Sequence, residues 1–151
     1  MITKQAAVSF LQDVNILTAA IVGPKGPIST PLLFAVEDDF SKLYIATRRD
    51  TYKAQALLQD PRFSASIWAF NQMCIQLDGT AKEVEEPSEI ARVFDMLTAS
   101  VGRLKEFWPP LLRVEGDSYI IFAITPTWAR SLDLSSSTIM SGDNPFTEIE
   151  I

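Results

Sequence analysis

Leu43-Tyr44-Ile45-Ala46-Thr47-Arg48-Arg49-Asp50-Thr51-Tyr52-Lys53 is the stretch on which the fold turns. Leu43–Thr47 is a compact β-rich run, and it delivers the chain into two arginines, two threonine hydroxyls and a lysine within seven residues. Such a set suits a phosphate. A hydroxyl leaving a strand end, a guanidinium, and an ammonium one helical turn later converge on one phosphoryl group, and the N–H groups of a new helix add donors. The plainer alternative is a set of charged residues facing water at a strand–helix junction.

Outward from this centre, Tyr52–Leu58 reads as a short helix stopped by Asp60-Pro61. Two strands follow, Phe63–Phe70 and Met73–Glu83, joined by a turn at Asn71-Gln72. In the second, Ile75 and Leu77 alternate with Gln76 and Asp78, and Gly79 marks a bulge or a close backbone approach. Upstream, Thr3 caps a helix carrying Ala7, Phe10, Leu11 and Val14 on one face. Ile16–Val22 and Ile28–Val36 are strands joined by the turn Gly23–Pro27, and Pro31 in the second marks an edge, a bulge or a place where the sheet parts. Glu37–Lys42 reads as a solvated acidic turn rather than a metal site.

Downstream, the acidic run Glu83–Glu89 with Pro87 opens a helix whose apolar positions are Ile90, Val93, Phe94, Leu97, Val101 and Leu104, with Gly102 as a possible break. Phe107-Trp108-Pro109-Pro110 reads as a rigid apolar link. Tyr119–Thr125 is the last strand, ended by Pro126. These six strands suffice to close a small barrel, so the expected fold is mainly β within α+β. Residues 1–134 form the domain, and 135–151 form a tail with little periodicity, expected to order against a partner subunit.

Composition narrows the function. The chain has 151 residues, 47% of them hydrophobic, enough for one domain with a real core. It lacks an apolar run of the ~18 residues that a membrane helix needs, and no signal-type stretch follows Met1, so a cytoplasmic protein without membrane contact is expected. A net charge of −6 argues against nucleic acid but leaves room for a small anion. The single cysteine, Cys74, reads as strand packing. With no histidine, Ser-His-Asp and Cys-His catalysis fall away, and any chemistry rests on a cofactor.

Ile28-Ser29-Thr30-Pro31-Leu32-Leu33-Phe34-Ala35-Val36, Leu43–Thr47, Thr51-Tyr52-Lys53-Ala54-Gln55-Ala56-Leu57-Leu58-Gln59-Asp60-Pro61-Arg62 and Leu77-Asp78-Gly79-Thr80-Ala81-Lys82 together resemble the FMN-binding split barrels related to pyridoxamine 5′-phosphate oxidase. The likeness covers roughly residues 5 to 130. It implies a six-stranded antiparallel split β-barrel with flanking helices, a homodimer, and FMN in a groove between two subunits. Carried over residue by residue, Lys53 is similar to the lysine of the phosphate-binding helix start, Thr47 to the strand-end threonine and Thr51 to the hydroxyl residue two before the lysine. Arg48 or Arg49 would contribute, and Thr30-Pro31-Leu32 would run past the flavin ring. Trp128 and Arg130, read as following the last strand, would approach the partner's flavin.

Three positions depart from the oxidase pattern: Pro31 and Tyr52 stand where it carries arginines, and Cys74 stands near where it carries a glutamine. A chain without histidine also lacks half of that oxidase's C-terminal substrate pair, so standard pyridoxamine 5′-phosphate oxidation is not expected. The expectation is an FMN-dependent oxidoreductase acting on an unspecified small molecule. Its rivals are a flavin-binding electron carrier or sensor, and a split-barrel dimer that has lost the cofactor.

Overall fold

The structure, a computed structural model, describes residues 2–101 and 118–151. The Phe107–Pro110 link and the Gly102–Leu104 end of the crossover helix lie outside the described residues.

The elements follow the chain as α1 (Lys4–Asp13), β1 (Ile16–Gly23), β2 (Gly26–Val36), β3 (Leu43–Arg48), α2 (Tyr52–Gln59), β4 (Arg62–Trp68), β5 (Met73–Glu83), α3 (Pro87–Val101), β6 (Tyr119–Asp133), α4 (Ser136–Ser141) and β7 (Phe146–Glu148). Six strands run β3-β2-β1-β4-β5-β6, and β6 pairs back onto β3 to close an antiparallel barrel. The period-2 pattern explains the closure. Leu17, Ala19 and Ile21 of β1, Phe63, Ala65 and Ile67 of β4, and Ile75 and Leu77 of β5 all point inward, joined by Ile120, Phe122 and Ile124 of β6. Helix α1, capped by Thr3 Oγ1 accepting from Ala6 N at 3.1 Å, contributes Ala7, Val8, Phe10 and Leu11 to the same core.

The barrel is split between β2 and β3. Their ladder covers only Phe34–Val36 against Leu43–Ile45, after which β3 follows β6 while β2 stays with β1 down to Gly26. Pro31 belongs to this parted section. Phe34 N donates to Asn15 O at 3.2 Å on the β1 side, so by alternation the Pro31 and Leu33 backbones face the side from which β3 has departed. A residue without an N–H costs the ladder nothing there.

One expectation is corrected at the C-terminal end. Pro126 does not end the last strand: β6 runs on to Asp133, because a bulge between the Asp78–Trp128 and Gly79–Pro126 pairs takes up Thr127. Pro126 sits at the irregularity, where a missing donor is tolerated. Trp128 and Arg130 therefore lie within β6 instead of beyond it. The segment 135–151 carries α4 and β7, β7 pairs with Arg130–Leu132 of its own chain, and Ile149 is buried in the barrel core.

Helix α3 lies over the outer side of β3 and β6, packing Val93 and Leu97 on Tyr44, Ala46 and Ile121. An ionic clamp holds it. Arg92 Nη2 donates to Glu37 Oε1 at 2.6 Å, Glu89 Oε1 at 2.7 Å and Tyr44 Oη at 3.0 Å, and Tyr44 donates to Glu37 at 2.8 Å. Asp38 and Asp39 of the same acidic turn accept from Gln12 and from Ser41 N instead. The Arg92 hydrogen bond holds the Glu37 carboxyl below its usual value of 4.5. A depressed folded-state pKa contributes stability that is present above the unfolded value and lost as pH falls through the folded one. The parent urea midpoint is therefore expected to fall more steeply than that of Arg92→Met between about pH 6 and pH 3. Equal slopes in a denaturation series would remove the clamp from the account of acid stability.

Candidate functional site

Strand β3 ends by turning into α2 through Arg48-Arg49-Asp50-Thr51, and the turn is built from its own polar groups. Thr51 caps α2: its Oγ1 accepts from Ala54 N at 3.3 Å and donates to Arg48 O at 2.8 Å. Because the Thr51 proton is spent on that carbonyl, Thr47 is the donor in the 3.3 Å contact between the two threonine hydroxyls. Thr47 is itself buried, at the barrel end. Buried Ala54, Ala56 and Leu57 seat the helix on the barrel, and Tyr52 lies beside the β1–β2 hairpin, its hydroxyl 3.0 Å from where a Cβ on Gly23 would stand.

The cations of this junction divide into two kinds. Arg48 pairs with Asp50 at 2.6 Å, and Arg49 pairs with Glu83 at the end of β5. Lys53, half-buried in the first turn of α2, has no ion pair among the described residues. The N–H groups of Tyr52 and Lys53 have no acceptor within the helix. Two hydroxyls and two backbone donors thus lie at the end of β3, where β2 and β3 part, with Lys53 in the same first turn of α2. Extending the β2–β3 register past its last pair, Phe34–Ile45, sets Leu32 level with Thr47. Thr30, Pro31 and Leu32 therefore border the same split.

The remaining predicted residues lie elsewhere on the surface. The outward faces of β2, β1, β4, β5, β6 and β7 fall into cross-strand rows. One row is Pro31, Thr18, Ser66, Gln76, Arg130 and Glu148; the next is Ser29, Ala20, Ser64, Asp78 and Trp128. On the other side of the polar row, Trp68, Cys74, Leu132 and Phe146 form an apolar one. A groove of about 300 Å³ lies in the two polar rows, floored by Thr18, Ser29, Ser64 and Ser66 and walled by Gln76, Trp128 and Arg130. Within one chain, Trp128 and Arg130 are thus on the outer sheet face and not among the groups at the β3–α2 junction.

The wall of this groove is ordered. Arg130 Nε donates to Gln76 Oε1 at 2.8 Å, and its guanidinium carbon lies 5.4 Å from the Trp128 ring centroid and 4.4 Å from that of Phe146. Trp128 Nε1 donates to Glu148 Oε1 at 2.8 Å. Cys74 is half-buried, and burial pushes its thiol above the ordinary value, against the opposing pull of Arg130, which suits packing better than nucleophilic chemistry. Trp68, read as a core or interface aromatic, is exposed on the apolar row of the single chain.

The sequence profile of pyridoxamine 5′-phosphate oxidase matches residues 3–133 of this chain. The chain belongs to that family. No curated protein matches the sequence. Among solved structures, a conserved hypothetical protein from Mycobacterium tuberculosis shares 23% identity with this member of the oxidase family, over 89% of this chain and 86% of that chain, with a TM-score of 0.70. A heme binding protein from Mycobacterium smegmatis is similar at 16% identity over 96% of this chain and 57% of that one, TM-score 0.71. A FAD-binding protein from Mesorhizobium loti is similar at 15% identity over 83% and 88%, TM-score 0.62. At these identities the likeness is one of fold.

Gln76, Glu148 and Phe146 are functional candidates that sequence reading passed over. Gln76 carried a signal: it lies two residues from Cys74, hence on the same face, near where the oxidase pattern has a glutamine. Glu148 and Phe146 carried none, since β7 is three residues long in an aperiodic tail.

Proposed function

We propose that this member of the pyridoxamine 5′-phosphate oxidase family is an FMN-binding flavoprotein that works as a homodimer and transfers hydride or electrons to or from a small molecule. The observation that carries this reading is Lys53, a cation without a carboxylate partner among the described residues, in the first turn of the helix whose cap Thr51 meets the Thr47 hydroxyl where the barrel parts. Those groups fit a phosphate ester. Lys53 and the N–H groups of Tyr52 and Lys53 donate to it, and Thr47 joins by rotating its hydroxyl away from Thr51. Arg48 and Arg49 balance their own carboxylates and serve mainly to shape the turn. The backbones of Pro31 and Leu33, facing the parted edge, supply polar groups for the ring edge. FMN, when bound, supplies hydride or single-electron transfer through its N5; the protein binds, orients and excludes water.

The second copy enters through the outer face. The Trp68-Cys74-Leu132-Phe146 row offers apolar area, and the polar row beside it holds Trp128 and Arg130 for the partner's cofactor. Light scattering is expected to give about twice the 16.8 kDa chain mass at micromolar concentration; a mass near 16.8 kDa would count against the dimer. Purified protein titrated with FMN tests the cofactor itself. A perturbed flavin spectrum with saturable fluorescence quenching supports the reading, and an unchanged spectrum at millimolar FMN overturns it. Turnover with NAD(P)H then separates an oxidoreductase from an electron carrier or sensor.

A further inference from the structure

The C-terminal strand β7 is too short to add much to the barrel, yet both of its outward side chains meet the two residues on the groove wall. Glu148 accepts the Trp128 indole N–H at 2.8 Å, and the Phe146 ring covers Arg130 with 4.4 Å between guanidinium carbon and ring centroid. The strand is registered for this purpose: Arg130 pairs with Glu148 and Leu132 with Phe146, while Ile149 N–H donates to Ala129 O at 2.9 Å and its side chain anchors in the core. An indole has one donor and rotates about two torsions, so one acceptor fixes its plane. Arg130 is held likewise, with Nε on Gln76 and its guanidinium carbon 4.4 Å from the Phe146 centroid and 5.4 Å from that of Trp128.

We propose that Glu148 and Phe146 are positioning residues for the ligand site, setting the Trp128 plane and the Arg130 fork that the proposed function places against the cofactor. This deepens that reading and rests on it. Both side chains are exposed, so their replacement leaves the barrel core intact. A pre-oriented wall binds more tightly because less side-chain freedom is lost on binding.

The test uses the full chain, FMN as the probe, and the Trp128 indole ¹⁵N–¹H resonance, assigned by its loss in Trp128→Phe. Glu148→Ala is expected to shift that resonance upfield without ligand and to weaken FMN about threefold to tenfold, with Glu148→Gln, which keeps an acceptor oxygen, restoring both. Phe146→Leu is expected to weaken FMN to a similar extent while leaving the indole resonance and the dimer mass in place; a loss of FMN accompanied by a fall to the chain mass would assign Phe146 to the subunit contact and overturn its positioning role. If Trp128→Ala weakens FMN but Glu148→Ala and Phe146→Leu do not, the positioning proposal fails alone. If Trp128→Ala also leaves FMN affinity unchanged, the placement of this wall in the cofactor site fails and takes the proposal with it.

Discussion

Replacing Lys53 with alanine is expected to weaken FMN binding by about 1.5–3 kcal/mol, roughly tenfold to a hundredfold in the dissociation constant. The size follows from what the ammonium does in the proposed site: it is the cation at the α2 start without a carboxylate partner among the described residues, so its whole charge is available to a phosphate. A charge-assisted hydrogen bond to a phosphate oxygen lies at the strong end of the range. The fold is expected to survive, because the buried anchors of α2 are Ala54, Ala56 and Leu57. Riboflavin, which has no phosphate, is the control: its affinity should respond little to Lys53→Ala. An FMN affinity within twofold of the parent would remove Lys53 from the site; equal losses for FMN and riboflavin would assign it a structural role.

Alanine at Gly79 is expected to cost roughly 2–3 kcal/mol of stability, seen as a melting midpoint lower by about 5–10 °C. A Cβ there would stand 2.7 Å from the Thr125 carbonyl oxygen and 3.0 Å from Ile124 Cγ2. The first of these neighbours is backbone and cannot swing aside. It belongs to β6 immediately before the bulge, so relief requires moving the ladder that closes the barrel. Thermal unfolding without added flavin measures the effect. A midpoint within about 1 °C of the parent would mean that the bulge yields at little cost.

The barrel was legible because its signals are local. Alternation of Ile75 and Leu77 with Gln76 and Asp78 states which side chains of β5 go inward, β-rich runs mark the other strands, and the Thr3 cap is read from a single residue. Pro31 left an edge, a bulge or a parted sheet open, and the parted section of β2 is where its lack of a donor is tolerated. Pro126 misled because the same lack of a donor ends a strand in one context and sits at a bulge in another, and only the opposing strand decides between them. The phosphate-suited cluster was legible as composition, but its division into paired arginines and a lysine without an ion pair among the described residues was not, since Glu83 comes from the far end of β5.

The sequence by itself determined the strand count of the barrel, the inward residues of β5, the β3–α2 junction and the membership that its motif order implied. The first three follow from interactions within a few residues or from hydrophobic period, and the membership follows from the likeness of motif order to a known family. Tertiary structure decided the register between strands, and with it which outward residues share a row: that Gln76 meets Arg130, that Trp128 meets Glu148, and that a three-residue strand from an aperiodic tail covers Arg130 with Phe146. A slip of one residue in the β5–β6 or β6–β7 ladder would part these side chains by sending one strand's set to the opposite face, so their meeting is a property of the paired strands and not of any segment.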